Sequence, residues 1–480
     1  MTPLWTSEAM AAAMGAERAG VLPACISGIS IDSRTLGPGE AFFAITGDNR
    51  DGHEFVAAAL ERGAGLAVVA ADRRDRFAHD APLLVVADVL AGLRELARSA
   101  RAHTQAKVVA VTGSVGKTGT KEALRLVLAK DGATHASAAS YNNHWGVPLS
   151  LARCPASARY AVFEIGMNHA GEIAPLTRLV RPHVAIVTAI EPVHLEFFGS
   201  LEAIADAKAE IFLGLERGGA AVLNADNAQF VRLERSAREA GVDRIVGFGE
   251  NPRAQARLIK YALQGDSSTV QARVLGSDVT YKIGAPGRHL VLNSLAVLAT
   301  SALLGADLAL AALALGELRP ASGRGVRIRL DTPGGSVLLI DESYNANPAS
   351  MRAALAVLGQ VEIGPQGRRI AVLGDMLELG PAGADLHRQL AAEIVPNGVD
   401  IVFCCGPLMR ALWEALPSNR RGGYAETSAS LESDVLSAVQ PGDAVMVKGS
   451  LGSRMGAIVT ALGNRYRRAA PAAAGAQLAT

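Results

Sequence analysis

The residues best suited to chemistry lie between Lys107 and Lys130, in KVVAVTGSVGKTGTKEALRLVLAK. An apolar β-branched run, Val108 to Val111, leads into a turn bracketed by Gly113 and Gly116. Lys117-Thr118 then opens a stretch with apolar residues at Ala123, Leu124, Val127 and Leu128. The pattern predicts strand, loop and helix. A loop of this kind turns backbone N–H groups onto phosphate oxygens, and the helix N-terminus adds partial positive charge. Lys117 would reach the outer phosphates of a nucleoside triphosphate and the Thr118 hydroxyl would ligate Mg²⁺, with Gly113, Ser114, Val115, Gly116 and Gly119 forming the cradle. The spacing is shorter than the common GxxxxGK[ST] loop, whose first glycine would fall at Val111. The alternative is a plain glycine turn between a core strand and a helix, and the Lys-Thr pair at the helix start argues against it.

Other candidates stand at the ends of apolar runs. Glu164 closes the run in FEIGMN, where a carboxylate can meet Mg²⁺ beside a nucleotide loop, although a capping or surface glutamate would look the same. His194, in EPVHLEFFGS, is a ligand only in company, since a lone histidine is more often structural. Lys208, in LEAIADAKAEIF (201–212), shares a face with Ile204 and Ile211 and reads as a surface lysine lying along apolar neighbours. In DESYNANPASM (341–351), Asp341 could hydrogen-bond a ribose and Tyr344 stack on a base, or the stretch is an Asx turn. GRHLVLNS, GRG and VKGSLGSRM add Asn293, Arg324, Lys448 and Arg454, each weak alone. Near the N-terminus, Ser33, Arg34, Thr46, Asn49 and His53 could hold an anionic ligand. Alternatively, Asp32 and Arg34 form a surface ion pair and the rest are turn formers.

These residues must be positioned by more than one domain, because 480 residues exceed a single core. The expected fold is α/β in three domains: a small N-terminal α/β unit (1–85), a central doubly wound, mostly parallel sheet carrying the loop (86–318), and a Rossmann-like C-terminal α/β unit (319–466). Strands are expected at 107–112, 161–165, 184–188 and 220–223, then at 336–340, 370–374, 400–406 and 443–447. Residues 255–283 read as an antiparallel excursion, 54–62 as a helix, and Leu290 to Leu318 as two buried helices joined at Gly305-Ala306-Asp307. Polar residues interrupt that last stretch too often for a membrane span. The tail 467–480 should be disordered. Lys plus Arg number 47 against 46 Asp plus Glu, so nothing in the balance asks for nucleic acid or a membrane surface. Cys25, Cys154, Cys404 and Cys405 show no CxxC spacing and the N-terminus lacks a signal-peptide pattern, which suits a reduced cytoplasmic protein, expected as a monomer.

Taken together, these stretches resemble the Mur ligases, from DSR at 32–34 to VKGS at 447–450. DESYNANPASM and GDMLELG (374–380) are similar to the member that adds D-alanyl-D-alanine to UDP-N-acetylmuramoyl tripeptide, and no DNPR-like motif is present. The resemblance implies ATP-driven amide formation through an acyl phosphate in peptidoglycan precursor synthesis. It implies that Lys117 and Thr118 hold the β- and γ-phosphates and one Mg²⁺ that Glu164 shares, that His194 takes part in a second metal site, and that Lys208 is carbamylated. Asn293, Arg324, Asp341 and Tyr344 would contact ATP, domain closure completing the site, while Ser33, Arg34, Thr46, Asn142 and Asn143 would hold the UDP-sugar peptide. Two departures stand out. Ser140 occupies a position where many relatives carry asparagine, and Leu290 follows the histidine of GRH where many carry asparagine. Competing readings are a sibling ligase with another amine donor, a folylpolyglutamate-type ligase, which should lack this N-terminal unit, and a non-catalytic nucleotide-binding protein or P-loop motor.

Overall fold

The structure, a computed structural model, describes residues 3–47, 50–138, 140–193 and 195–468. Asn49 and His194, both singled out above, lie outside the described residues, as does the tail from 469. Among the described residues, sheets of five, nine and seven strands follow one another along the chain, beside a two-stranded N-terminal pair.

The nine-stranded sheet is organised around Lys107–Thr112. Its side chains alternate between faces, as the period of a strand requires. Val108 and Ala110 enter one apolar core, Val109 and Val111 another. Burial on both faces is why the strand reads as an unbroken apolar run. Tyr160–Glu164 and Val184–Val187 flank it in parallel, with Glu164 beside Val111 and Val187 beside Thr112. The chain builds first toward Thr134–Ala136 on one side and then crosses to Val184–Val187 on the other. Strand order therefore reverses at the carboxyl end of Lys107–Thr112, the place where open α/β sheets form a ligand crevice. Ala220–Asn224, Arg244–Gly249 and Ala256–Leu263 extend the sheet in parallel, and Ser268–Val274 and Ser277–Ile283 finish it antiparallel. The antiparallel excursion thus belongs to the same sheet. Helices Arg288–Leu303 and Leu308–Ala314 are separate, as expected, and cover the second core together with helix Lys117–Ala129. Among the described residues, no helix is long and apolar enough to cross a membrane.

The five-stranded sheet runs in the order Glu17–Ala19, Leu83–Val86, Leu66–Ala70, Ala41–Phe43 and Ile29–Ser30. Helix Ser7–Met14, capped by the Thr6 hydroxyl accepting from Ala9 N–H at 3.1 Å, lays Met10, Ala11 and Met14 against it. One apolar core joins this unit to the central sheet: Met10, Ile29, Phe43, Leu84 and Leu93 pack with Val108, Ala110 and Phe163. The helix expected over 54–62 is instead a 3₁₀ turn, Gly52–Phe55, followed by helix Val56–Glu61. The break follows from His53, whose buried ring has Nδ1 2.6 Å from Asp51 Oδ1 while Nε2 accepts from Ala70 N–H at 3.0 Å. His53 is a structural pin.

The seven-stranded sheet is parallel from Arg421–Ala425 through Ile401–Cys405, Arg369–Gly374 and Ala444–Lys448 to Gly335–Glu342, with Val326–Thr332 antiparallel at its edge. Arg467 and Arg468, expected to begin a disordered tail, pair with Asp331 and Leu330. That pairing shields an edge strand whose backbone groups would otherwise be open. Where Ala444–Lys448 begins, the 2 %-exposed Asp443 accepts from Arg368 N–H at 2.9 Å, Arg368 Nη2 at 2.7 Å and Gln440 N–H at 2.8 Å. Asp443→Ala strands those donors and is expected to cost roughly 3 kcal/mol. Urea denaturation followed by circular dichroism tests this, and an unchanged midpoint would show that the sheet does not need the carboxylate.

Candidate active site

The loop after Thr112 turns at two glycines, Gly113 at φ +144° and Gly116 at φ +85°. A Cβ on Gly113 would stand 2.0 Å from Thr188 Oγ1, and one on Gly116 would stand 2.6 Å from Asn293 Nδ2. Only glycine fits either position. Thr188 follows the neighbouring strand and its hydroxyl donates to the Val115 carbonyl at 2.5 Å. Ser114 N–H donates to the Ala189 carbonyl at 2.8 Å, and Ser114 Oγ donates to the Glu191 carbonyl and accepts from Glu191 N–H, both at 3.0 Å. The loop is thereby fixed from outside. The helix makes its first internal bond from Thr120 N–H to the Gly116 carbonyl at 2.9 Å, so the N–H groups before it point out of the helix end, the arrangement that binds anions. Gly119 sits in the first turn with open space beside it.

Charge gathers at the helix start. Lys117 Nζ turns back on its own loop, donating to the Gly113 carbonyl at 2.6 Å and the Ser114 carbonyl at 3.3 Å. Desolvation pushes its pKa below the usual lysine range, the Glu164 carboxylate pulling the other way and the Arg324 guanidinium adding to the depression. Thr118 Oγ1 donates to Glu164 Oε2 at 2.8 Å, and Asn142 Nδ2 donates to Glu164 Oε1 at 2.7 Å. Ser140 Oγ lies 3.3 Å from Thr118 Oγ1 and accepts from Arg324 Nη2 at 3.5 Å. Arg324 in turn lies over the Tyr344 ring, 4.2 Å from its centroid. The central and C-terminal units thus meet at Ser140, one of the two departures noted above.

Lys208 departs from the surface lysine the sequence suggests, being 1 % exposed. Helix Leu201–Ala209 offers no wholly polar face, and tertiary packing buries the side chain. Desolvation drives its pKa well below the ordinary value, with the Lys117 charge adding to the effect. Among the described residues its side chain has no hydrogen-bond or ion-pair partner to support the charged form, so burial is free to disfavour the ammonium. Among the described residues no cluster of three or more His, Cys, Asp or Glu could hold a metal. The oxygen pair of Thr118 and Glu164 is what a hard cation would meet.

The remaining candidates divide. Asp341 organises its own loop: Oδ2 accepts from Gly323 N–H at 3.1 Å, and Oδ1 accepts from Ser343 N–H at 3.1 Å and Ser343 Oγ at 2.6 Å. It lines a cavity of about 340 Å³ with Gly323, Ser343, Tyr344 and Arg454. Lys448 Nζ donates to the Asn345 carbonyl at 2.9 Å and to Glu342 Oε2 at 3.2 Å beneath that loop. Asn143 Oδ1 accepts from Gly146 N–H at 2.9 Å, starting helix Gly146–Ala152. Arg34 pairs with Asp32 at 2.7 Å, and that hydrogen bond holds the Asp32 pKa down to about 2. Thr46 Oγ1 donates to Asp51 Oδ1 at 3.1 Å. No hydrogen bond or ion pair among the described residues joins Ser33, Arg34 or Thr46 to the Thr118–Glu164 pair. The N-terminal unit is pinned instead to the helix after Asn142-Asn143, by Trp5 Nε1 donating to Ala152 at 2.9 Å and Arg153 Nε donating to Ile29 at 2.7 Å.

Thr188 was missed as a site residue, although it directly follows an apolar strand, much as Glu164 closes one, and the same rule finds it. Residues 25–101 match the Mur ligase family catalytic domain, 111–301 the Mur ligase middle domain, and 327–451 the Mur ligase glutamate ligase domain. The UDP-N-acetylmuramoyl-tripeptide--D-alanyl-D-alanine ligase of Escherichia coli (strain K12) is 36 % identical over 438 residues, covering 91 % of this chain and 94 % of its own. A crystal structure of MurF from Acinetobacter baumannii superposes with a TM-score of 0.82 at 29 % identity, over 96 % of this chain and 99 % of that one. The MurF ligase from Thermotoga maritima in complex with ADP gives a TM-score of 0.73 at 25 % identity, over 91 % and 98 %. Motif, geometry and comparison agree over nearly the whole length: the chain belongs to the Mur ligase family.

Proposed function

We propose that this chain joins D-alanyl-D-alanine to the terminal carboxylate of UDP-N-acetylmuramoyl tripeptide at the expense of ATP. The observation that carries the reading is the buried Thr118–Glu164 pair at the mouth of a glycine loop, with Lys117 beside it and the buried amine of Lys208 near that cation. The choice of substrates rests on relatives whose names carry them and on the stretches at 341–351 and 374–380. ATP use is supported by the ADP complex of the Thermotoga maritima protein.

A carboxylate is a poor electrophile until phosphorylated. In the reaction the tripeptide carboxylate oxygen attacks the γ-phosphorus and ADP leaves. The dipeptide amine then attacks the acyl carbon, loses a proton and expels phosphate. The protein's part is to position and to neutralise charge. Loop N–H groups would hold the phosphate oxygens, and Lys117, released from the Gly113 carbonyl, would turn toward the transferring group. Asn142, through Glu164, and Ser140, through Thr118 and Arg324, would keep the substrate side and the nucleotide side in register. Thr118 and Glu164 fit Mg²⁺, presenting hydroxyl and carboxylate oxygens side by side, and His194 would belong to a second site. The metal would supply charge neutralisation across the phosphates. Carbamylation of Lys208 by CO₂ would replace its buried amine with an anionic oxygen ligand, and burial, by disfavouring the ammonium, works in that direction. Asn293, Tyr344 and Asp341 would border the nucleoside, and Ser33, Arg34, Thr46 and Asn143 the UDP-sugar peptide. The four cysteines are all free, which suits the cytoplasm.

Phosphate release from ATP should require both UDP-muramoyl tripeptide and D-alanyl-D-alanine. Release with another amino acid in place of the dipeptide would point to a sibling ligase, and release with neither substrate to a motor or switch. Lys117→Ala should lower kcat roughly a thousandfold with an unchanged circular dichroism spectrum; normal ligation by that variant would put the phosphate site elsewhere. The depressed pKa of Lys208 has a signed consequence. Between its folded value and the unfolded value, the unfolded chain binds a proton that the folded chain does not, so stability rises with pH and falls as pH drops. In CO₂-free buffer the melting temperature of the wild type should gain more between pH 7 and pH 9 than that of Lys208→Met, and equal gains would contradict the shift.

A further inference from the structure

Helix Lys117–Ala129 carries a second buried cation that the reaction above does not use. Lys121 stands one turn beyond Lys117 and is 0 % exposed, on a helix whose other buried residues include Ala123, Leu124, Val127 and Leu128. Its Nζ donates to the Ser137 carbonyl at 2.7 Å and lies 2.7 Å from Glu122 Oε1, which is itself held by Arg125 Nε at 2.8 Å. Only Glu122 of this pair reaches solvent, its side chain 28 % exposed, so burying the lysine costs about what the pairing returns and an apolar residue would commonly serve as well. The lysine therefore calls for a reason other than packing.

Its contact supplies one. Ser137 begins the segment that runs from strand Thr134–Ala136 to helix Gly146–Ala152, and its N–H donates to the Val162 carbonyl at 3.1 Å. A few residues on, the same segment places Ser140 Oγ 3.3 Å from Thr118 Oγ1 and brings Asn142 Nδ2 to 2.7 Å from Glu164 Oε1. Asn142 also accepts Gly166 N–H through its carbonyl at 2.8 Å. The far end of the segment is thus anchored to the strand that carries Glu164, and the near end to the helix that carries Thr118, by Lys121. We propose that Lys121 is a positioning residue, which holds Ser137 to the helix and so sets the height at which Ser140 and Asn142 meet the Thr118–Glu164 oxygen pair. This rests on the reading of that pair as the Mg²⁺ site of a ligase. Lys121 acts by orienting the groups that orient the oxygen pair.

The test uses the full chain and reads metal and chemistry separately. Mg²⁺ is titrated into wild type and Lys121→Met in the presence of the non-hydrolysable analogue AMP-PNP, and kcat and KM are measured for each substrate. Loss of a group that orients metal ligands typically costs about tenfold or more in metal affinity. Lys121→Met is expected to raise the Mg²⁺ midpoint roughly tenfold and to lower kcat, with KM for ATP within about twofold of wild type. Lys121→Arg, which keeps a charged donor toward the Ser137 carbonyl, should recover part of the midpoint. Combined with Asn142→Ala, Lys121→Met should show less than additive loss, because both act on one segment. An unchanged Mg²⁺ midpoint overturns the proposal even if the melting temperature falls, since a purely structural lysine would lower stability and leave metal affinity alone. If Lys121→Met does not fold, Lys121→Gln is titrated in its place with the same two outcomes. Wild type that binds Mg²⁺ with AMP-PNP but ligates nothing would defeat the ligase reading while the titration still judges Lys121, and wild type that binds no Mg²⁺ with the analogue would defeat both.

Discussion

Two hydrogen atoms hold the arrangement open. At Gly113 and Gly116 the backbone passes so near Thr188 and Asn293 that any side chain would collide with them. Those approaches bring three elements to one point: the end of strand Lys107–Thr112, the residue after strand Val184–Val187, and a turn of helix Arg288–Leu303. Because the loop cannot swell, the helix beginning at Lys117 starts directly above the sheet, and Thr118 falls beside Glu164 on the adjacent strand. The carboxylate, the hydroxyl and the cation are neighbours through backbone geometry first and attraction second.

Much of this was legible in the residues, for reasons that differ from element to element. Strand Lys107–Thr112 could be read because it is buried on both faces and carries no polar interruption. Glu164 could be read because a charge at the end of an apolar strand has few places to go in an open parallel sheet. The two helices around Gly305 could be read because a left-handed residue marks the end of the first and Asp307 caps the second. The same logic covers Thr188, which went unnoticed only because a threonine is an ordinary strand residue.

The rest was hidden by tertiary packing. Glu202, Asp206 and Glu210 surround Lys208 in the sequence, and nothing in their spacing says that the lysine faces inward. Lys121 is hidden in the same way, between Thr120 and Glu122 at the border of the stripe that Leu124 and Leu128 form. His53 differs in the opposite direction, since it has the residue type of a ligand and its ring is engaged in holding backbone. A side chain's type announces what it can bond. Only the fold decides whether that capacity has already been taken.

The distribution of apolar residues has a mechanical corollary. Met10, Ile29 and Leu84 of the first unit and Phe163 and Leu223 of the second belong to one core, whereas the apolar residues of the third unit pack among themselves in two cores that begin after residue 325. Prying the first two apart would expose hydrocarbon to water. The third is joined to them in part by Arg324 at Ser140 and by the backbone approach of Gly380 to Glu196. The first two units therefore share one block of hydrocarbon, whereas the third keeps cores of its own and meets them through fewer apolar residues.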